Sequence, residues 1–299
     1  MTGAVHRLLP DGRLHLQHGP IDMILRAEGP AAAVAAAHAA AVARFATLLE
    51  ELVAELPRLR APAGPGAATP TGAVAQRMAA AAAAHWPAFV TPMAAVAGAG
   101  AEAVCAAMAA VPGLTRAHAN NGGDIALWLA PEAPAFRIGV VVDPAAPASP
   151  GTLTIAACDP WRGIATSGAK GRSHSLGIAD SVTVLAADAP AADVAATLIA
   201  NAVDLPGDPS IGRVPARDLA PDSDLGPRLV TVHVPRLDPA RIAAALDRGE
   251  ASARAMRARG LIGGAVIVLQ RQVRLVGTVP LAAPRPDRMH DKEAASCPT

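Results

Sequence analysis

Asp193 and Thr197 stand four residues apart near the start of a helix that Pro190 opens, so both side chains lie on one helical face. A carboxylate and a hydroxyl are hard oxygen ligands. They suit Mg2+, which takes one or two protein carboxylates together with substrate phosphate. The plainer reading is an acidic residue complementing the positive end of a helix dipole. A second group is Asn120-Asn121-Gly122-Gly123-Asp124. Paired glycines let the backbone take positive φ and approach a ligand closely, with amides turned toward a phosphate or a ring carbonyl. Asn-Gly is equally a hairpin signal. A third is Gly163-Ile164-Ala165-Thr166-Ser167-Gly168, followed by Lys170, Gly171, Arg172, Ser173 and His174. Glycines and small hydroxyl residues beside basic groups can hold phosphate, and an exposed polar turn has the same composition. It is not a Walker A loop, because Ala169 occupies the position of the obligatory lysine.

Other chemistries find no support. The nine histidines form no His-Glu-x-x-His arrangement, and Gly-x-Ser-x-Gly is missing, so neither a zinc hydrolase nor an α/β-hydrolase is indicated. Cys105, Cys158 and Cys297 form no Cys-x-x-Cys pair. The first two sit in apolar stretches and read as small core residues, which favours a reducing, cytoplasmic compartment. The formal net charge is +1, and aromatic residues make up 2% of the chain, with no tyrosine. A nucleic-acid partner is therefore not expected. Nor is a membrane: Ala79–Ala84 is too short to span one, and the apolar run 31–56 is interrupted by Arg44, Glu50, Glu51 and Glu55.

The elements that must carry these groups follow from periodicity. Residues 13–27 read as a hairpin turning at Gly19-Pro20. Pro30 opens a helix whose apolar face is Val34, Ala37, Ala41, Phe45, Leu48, Leu49 and Leu52, ending at Pro57. A Pro/Gly/Ala-rich flexible loop occupies about 57–72, and helices follow near 73–84 and 93–111. Short strands are expected at 115–119, 125–129, 136–142, 152–157 and 181–186, then a helix at 190–203 and loop at 205–227. A strand at 229–234, an amphipathic helix at 238–258 and strands within 264–276 complete the pattern. Residues 1–280 are read as one domain, and 281–299 as a disordered tail. Strands and helices do not alternate strictly, which favours α+β over a doubly wound parallel sheet.

Taken in order, these segments resemble the ApbE superfamily, the FAD-dependent protein flavinyltransferases, and within it a short ApbE-like branch. The likeness covers roughly residues 10–270. It rests on Leu9–Leu14, Gly19–Asp22, Pro92–Gly98, Asn120–Ile125, Gly163–Gly168, Ser175–Asp180 and Asn201–Asp204. Gly122-Gly123-Asp124 is similar to the transferases' Gly-Gly-Asp/Asn loop, and Ala165-Thr166-Ser167-Gly168 to their Ala-Thr-Ser-Gly. Ala192-Asp193 with Ala196-Thr197 is similar to their metal-binding helix start. The resemblance implies mixed sheets flanked by helices, Mg2+ at Asp193 and Thr197, and FAD or FMN held by Asn121, Gly122, Gly123, Asp124, Thr166, Ser167 and Gly168. Two features depart from the transferases: no Asp-Pro follows His174, and Ala97-Gly98-Ala99-Gly100 stands where they carry Lys-Gly-Tyr.

Three readings compete. In the first, a Mg2+-dependent enzyme acts on a flavin or another pyrophosphate nucleotide, with His174 or Asp180 as general base and a protein as acceptor. In the second, the same scaffold binds the nucleotide without transfer, as an accessory protein in sulfur or cofactor metabolism. In the third, Gly98-Ala99-Gly100-Ala101-Glu102-Ala103 is a Rossmann dinucleotide loop, with Asp124 at about the expected ~20-residue distance. The helix at 30–56 offers an apolar face that either covers the sheet or pairs subunits into a homo-oligomer.

Overall fold

The computed structural model describes residues 3–140, 151–171, 173–277 and 281–282. Its strands are β1 Val5–Leu8, β2 Leu14–His18, β3 Ile21–Glu28, β4 Arg116–Asn121, β5 Asp124–Leu129, β6 Phe136–Val140, β7 Gly151–Ile155, β8 Gly163–Ser167, β9 Ser181–Ala186, β10 Gly212–Pro215, β11 Leu229–His233, β12 Gly264–Leu269, β13 Gln272–Gly277 and β14 Leu281–Ala282. Its helices are α1 Ala31–Ala46, α2 Leu48–Ala54, α3 Leu56–Leu59, α4 Ala73–Ala83, α5 Val96–Ala109, α6 Ala189–Ala202, α7 Ala216–Leu219 and α8 Pro239–Ala258. Nine strands form one sheet in the order β1-β2-β3-β4-β5-β8-β9-β12-β13, and β14-β7-β6 form a second. The strand pairs among the described residues are antiparallel. The fold is α+β, as the sequence pattern indicates.

Side-chain alternation divides the large sheet into two working faces. On one face, Leu14, Leu16, Met23, Leu25, Ala117, Ala119 and Ala126 pack with α1, α2, α4 and α5. Farther along it, Ala165, Val182, Val184 and Ile267 pack with α6 and α8. On the other face, Leu127, Leu129, Ile164 and Leu185 meet Phe136, Leu153 and Ile155 of the small sheet. Alanine dominates the helix-facing layers, so helices and sheet approach closely and few bulky side chains are needed to fill the gap.

The expected helix 30–56 is two pieces, α1 and α2. Ala37, Ala41, Phe45, Leu48 and Leu52 are buried on one face as its periodicity requires. The chain breaks at Thr47, whose hydroxyl joins Arg44 and Glu51 in a local polar cluster. Two helical stretches, Ala31–Ala54 and Pro92–Ala109, are long and apolar enough to cross a membrane by length and composition; here α1 and α5 lie against the sheet. Gly98 and Gly100 fall inside α5, and the strand pairs among the described residues are antiparallel, so the Rossmann reading fails. Strands β1 and β10 were not foreseen. Leu281 and Ala282 pair with β7 instead of beginning the expected tail, and 283–299 lie outside the described residues, as do 141–142 of the strand expected at 136–142. Cys105 is buried as expected, and burial pushes its thiol up to about 12. Cys158 is exposed and disulfide-bonded, against the core thiol expected there.

The segment expected as a flexible loop at 57–72 is partly helical, as α3, and is pinned at its far end. Glu55 Oε1 accepts the amides of Thr71 and Gly72, each at 2.6 Å, and the Thr71 hydroxyl at 2.7 Å. Arg58 donates to Oε2 at 2.8 Å. These bonds, the Gly72 amide first, hold the carboxyl down at about 2, against an ordinary 4.5. A depressed carboxyl stabilises the fold above its unfolded pKa, and that stability is lost as pH falls through the folded value. Glu55→Gln is therefore expected to melt at a lower temperature than the parent protein at pH 7. The gap should close as pH falls from 4.5 toward 2, as followed by circular dichroism.

Candidate functional site

The start of α6 is held by its own sequence and by what it is pressed against. Asp188 caps the helix, its Oδ1 accepting the Ala191 amide at 2.8 Å, and Pro190 sits in the first turn. On one side lies Gly163 of β8, where a Cβ would come within 2.0 Å of the Asp188 carbonyl oxygen. On the other lies Gly98 of α5, where a Cβ would come within 2.4 Å of the Ala189 carbonyl oxygen. Two absent side chains let three backbones converge. The first turns of α6 thereby lie across the N-terminus of α5, and the buried Asp193 places Oδ2 2.9 Å from the Gly98 amide, which donates to it. Thr197 follows one turn later, half-buried.

The Asn-Asn-Gly-Gly-Asp segment closes the β4–β5 hairpin, so the plain turn reading holds, and the turn also builds the site. Gly122 and Gly123 take φ of 69° and 116°, conformations that L side chains resist. Asn120 Oδ1 accepts the Gly123 amide at 2.9 Å and fixes the turn. Alternation separates the two asparagines. Asn121 shares the parity of Ala117 and Ala119 and points toward the helices, donating to the Ala97 carbonyl at 3.2 Å. Asp124 shares the parity of Ala126, on the side of the sheet that faces Asp193, and its charge acts on that carboxylate. Its Oδ1 accepts the Thr166 amide at 3.2 Å, which ties β5 to β8.

The two carboxylates interact with backbone amides and with each other, and among the described residues no basic side chain pairs with either. Burial raises the Asp124 carboxyl to about 7. Burial first, and then the like charge of Asp124, raises Asp193 well above the usual carboxylate range. Two carboxylates cannot both ionise cheaply in a low-dielectric site unless a cation joins them. No group of three or more His, Cys, Asp or Glu is gathered among the described residues. Two carboxylates and a threonine hydroxyl still fit the few protein ligands that Mg2+ takes when phosphate completes its shell.

On the opposite side of the glycine turn lies a cavity of about 310 Å³ between the large and small sheets. Ile125, Ile138, Leu153 and Ile164 form its apolar part; its other lining residues include Asn120, Gly122, Gly123, Thr166, Ser167, Gly168, Lys170, Asp180, Ser181 and Thr183. Thr166 and Thr183 share a hydroxyl–hydroxyl bond of 2.9 Å across β8 and β9. The segment Gly163–Ser167 expected as a loop is a strand; the loop begins at Gly168, and its Arg172 lies outside the described residues. His174 is exposed and does not line the cavity, so the structure gives it no position as a base there. Asp180 does line it, but its carboxylate accepts the Gln270 amide at 2.6 Å and pairs with Lys170 at 3.2 Å. Ser175 and Leu176 are tied to Asn201, whose Oδ1 accepts the Leu176 amide at 2.9 Å, so these motif residues hold the loop in place.

The sequence motifs at 120–124, 166–168 and 193–197 thus meet around one turn. Asn120 and Lys170, both within the expected loops, line the cavity; Ser181 and Thr183 were not among the expected site residues. Strand alternation carried the signal for these two, which are out of phase with the buried Val182 and Val184.

A family profile described as AbpE bacteria matches residues 6–275. The chain belongs to that family. No curated protein matches it. Among solved structures, it shares 14% identity with the apo form of the Pseudomonas stutzeri flavinyl transferase ApbE, at a TM-score of 0.43, covering 92% of this chain and 94% of that one. It also shares 14% identity with the flavin transferase ApbE from Vibrio cholerae, at a TM-score of 0.38, covering 93% and 99%. In this member of the AbpE family the profile spans every element that contributes to the acid pair and the cavity, from α5 through α6.

Replacing Asp193 separates its two structural effects. Asp193→Asn keeps an acceptor for the Gly98 amide and removes one of two like charges. It is expected to raise the melting temperature of the metal-free protein by a few degrees at pH 8. Asp193→Ala strands the amide instead and should cost about 1–3 kcal/mol in denaturant unfolding.

Proposed function

We propose that the protein binds a flavin nucleotide, or a related pyrophosphate nucleotide, together with Mg2+. One observation carries this reading: the half-buried Asp124 and the buried Asp193 repel one another with no basic partner among the described residues, next to a glycine turn that borders a cavity. Asp193, Thr197 and Asp124 would hold the ion. Once bound, it would relieve the repulsion between the carboxylates and supply positive charge to phosphate oxygens. Amides of Gly122, Gly123 and Gly168 and the hydroxyls of Thr166 and Ser167 would line the nucleotide's path, with the ring against Ile125 and Ile164.

The chemistry beyond binding divides into two forms. As a transferase, the protein would pass a flavin mononucleotide group to a protein acceptor. As an accessory protein, it would hold the nucleotide without turnover. The exposed position of His174 and the engagement of Asp180 with Gln270 and Lys170 favour the second, because neither proposed base is poised over the acid pair.

Titration calorimetry with FAD, with and without Mg2+, tests the binding. FAD should bind more tightly when Mg2+ is present, and Asp193→Asn should lower that Mg2+-dependent gain at least tenfold while leaving the fold intact. Equal affinity with and without Mg2+ would remove the metal from the proposal, and no affinity for FAD would remove the flavin. Chromatography after incubation with FAD and Mg2+ decides between the two forms: AMP release marks transfer, and unchanged FAD marks binding alone.

A further inference from the structure

Lys170 and Asp180 stand together on the cavity wall. The Lys170 ammonium is 3.2 Å from Asp180 Oδ1, and the two side chains are 47% and 14% exposed. Asp180 is not free to swing. Its Oδ2 accepts the Gln270 amide at 2.6 Å, and its backbone amide donates to the Val268 carbonyl at 2.9 Å. Gln270 is itself fixed at both ends of its side chain: Nε2 donates to the Pro235 carbonyl at 2.6 Å, and Oε1 accepts the Leu237 amide at 2.9 Å. The tip of the β12–β13 hairpin thus clamps the carboxylate, and the carboxylate holds the ammonium. Beside them lies an aliphatic surface of Ile125, Ile164 and Leu153, suited to the face of a flat ring.

A fixed strong donor next to a fixed strong acceptor is a recognition element for a matching pair on a ligand. A cyclic imide offers that pair, a carbonyl oxygen adjacent to an N–H. Each carboxylate oxygen can accept more than one hydrogen bond, so the bonds to Gln270 and Lys170 do not exhaust Asp180. Charged partners make such bonds short and strong. We propose that Lys170 and Asp180 read the imide edge of a heterocycle lying in the cavity, Lys170 donating to the ring carbonyl and Asp180 accepting from the ring N–H. The proposal rests on the nucleotide reading of the cavity and narrows it to rings with a pyrimidinedione edge, which flavins and uracil nucleotides both present.

The test is titration calorimetry on the full-length protein with riboflavin, N3-methylriboflavin, FAD and uridine monophosphate, using the parent protein, Lys170→Met, Lys170→Arg and Asp180→Asn. In the parent protein, N3-methylriboflavin should bind about tenfold or more weakly than riboflavin, because the methyl group removes the N–H and leaves the carboxylate unmatched. Lys170→Met should weaken riboflavin and FAD by the same factor, since the contact is to the ring; Lys170→Arg should recover part of it. Asp180→Asn should erase the preference for the unmethylated ring. Equal binding of riboflavin and N3-methylriboflavin overturns the proposal. So does a Lys170→Met loss confined to FAD, which would assign the ammonium to phosphate. The methylation comparison uses only the parent protein, so it decides the matter even if a variant fails to fold. If no flavin binds but uridine monophosphate does, in a Lys170-dependent way, the flavin reading falls and the imide reading stands. If no imide ligand binds, both fall.

Discussion

The approach of the first turns of α6 to β8 and α5 is the constraint on which the site depends. Asp193 reaches the α5 N-terminus because the backbone at 188–190 sits where side chains at 98 and 163 would otherwise be. A single methyl group at either position would push α6 outward, and the carboxylate would leave both the Gly98 amide and Asp124. The alanine-rich interior belongs to the same arrangement: helices that pack through Ala and Gly come near enough for main-chain donors of one element to serve a side chain of another. The gain is geometric and the cost is backbone entropy, since glycine within a helix is about 1 kcal/mol less favourable than alanine.

The electrostatics follow from that geometry. A lone buried carboxylate at a helix N-terminus would be comfortable, with amide donors and a favourable dipole. A second carboxylate beside it makes the arrangement costly, and the cost is visible in the raised proton affinity of both groups. Stability of the protein alone would be better served by an amide at either position. The proposed cation would relieve that repulsion.

Much of this was legible in the sequence, and what was not has physical causes. Pro190 with an acid at 193 and a hydroxyl at 197 announced the helix start, because a proline in the first turn and i, i+4 spacing are local properties. The glycine pair at 122–123 announced the turn for the same reason. The family resemblance linked these segments, and the structure brings them together. Local signals misled where small residues are ambiguous: Gly163–Ser167 has a loop's composition, yet it is a strand, since its glycine serves a close approach and its hydroxyls face a cavity. Gly98 and Gly100 imitate a dinucleotide loop but are packing contacts of a helix. The break at Thr47 and the anchoring of the linker by Glu55 depend on partners that no periodicity reveals. The pairing of Lys170 with Asp180 likewise requires knowing that the loop folds back over β9.

Placing the acid pair on the helix side of the β4–β5 hairpin and the apolar cavity on the other leaves one backbone turn as the partition between a charged compartment and a greasy one. A molecule touching both must straddle that partition, its two halves departing in different directions from a saddle made of Gly122 and Gly123. Position 123 is part of that saddle and of the cavity wall alike: bulk added there would strain a turn held at positive φ and narrow the cavity at the same time.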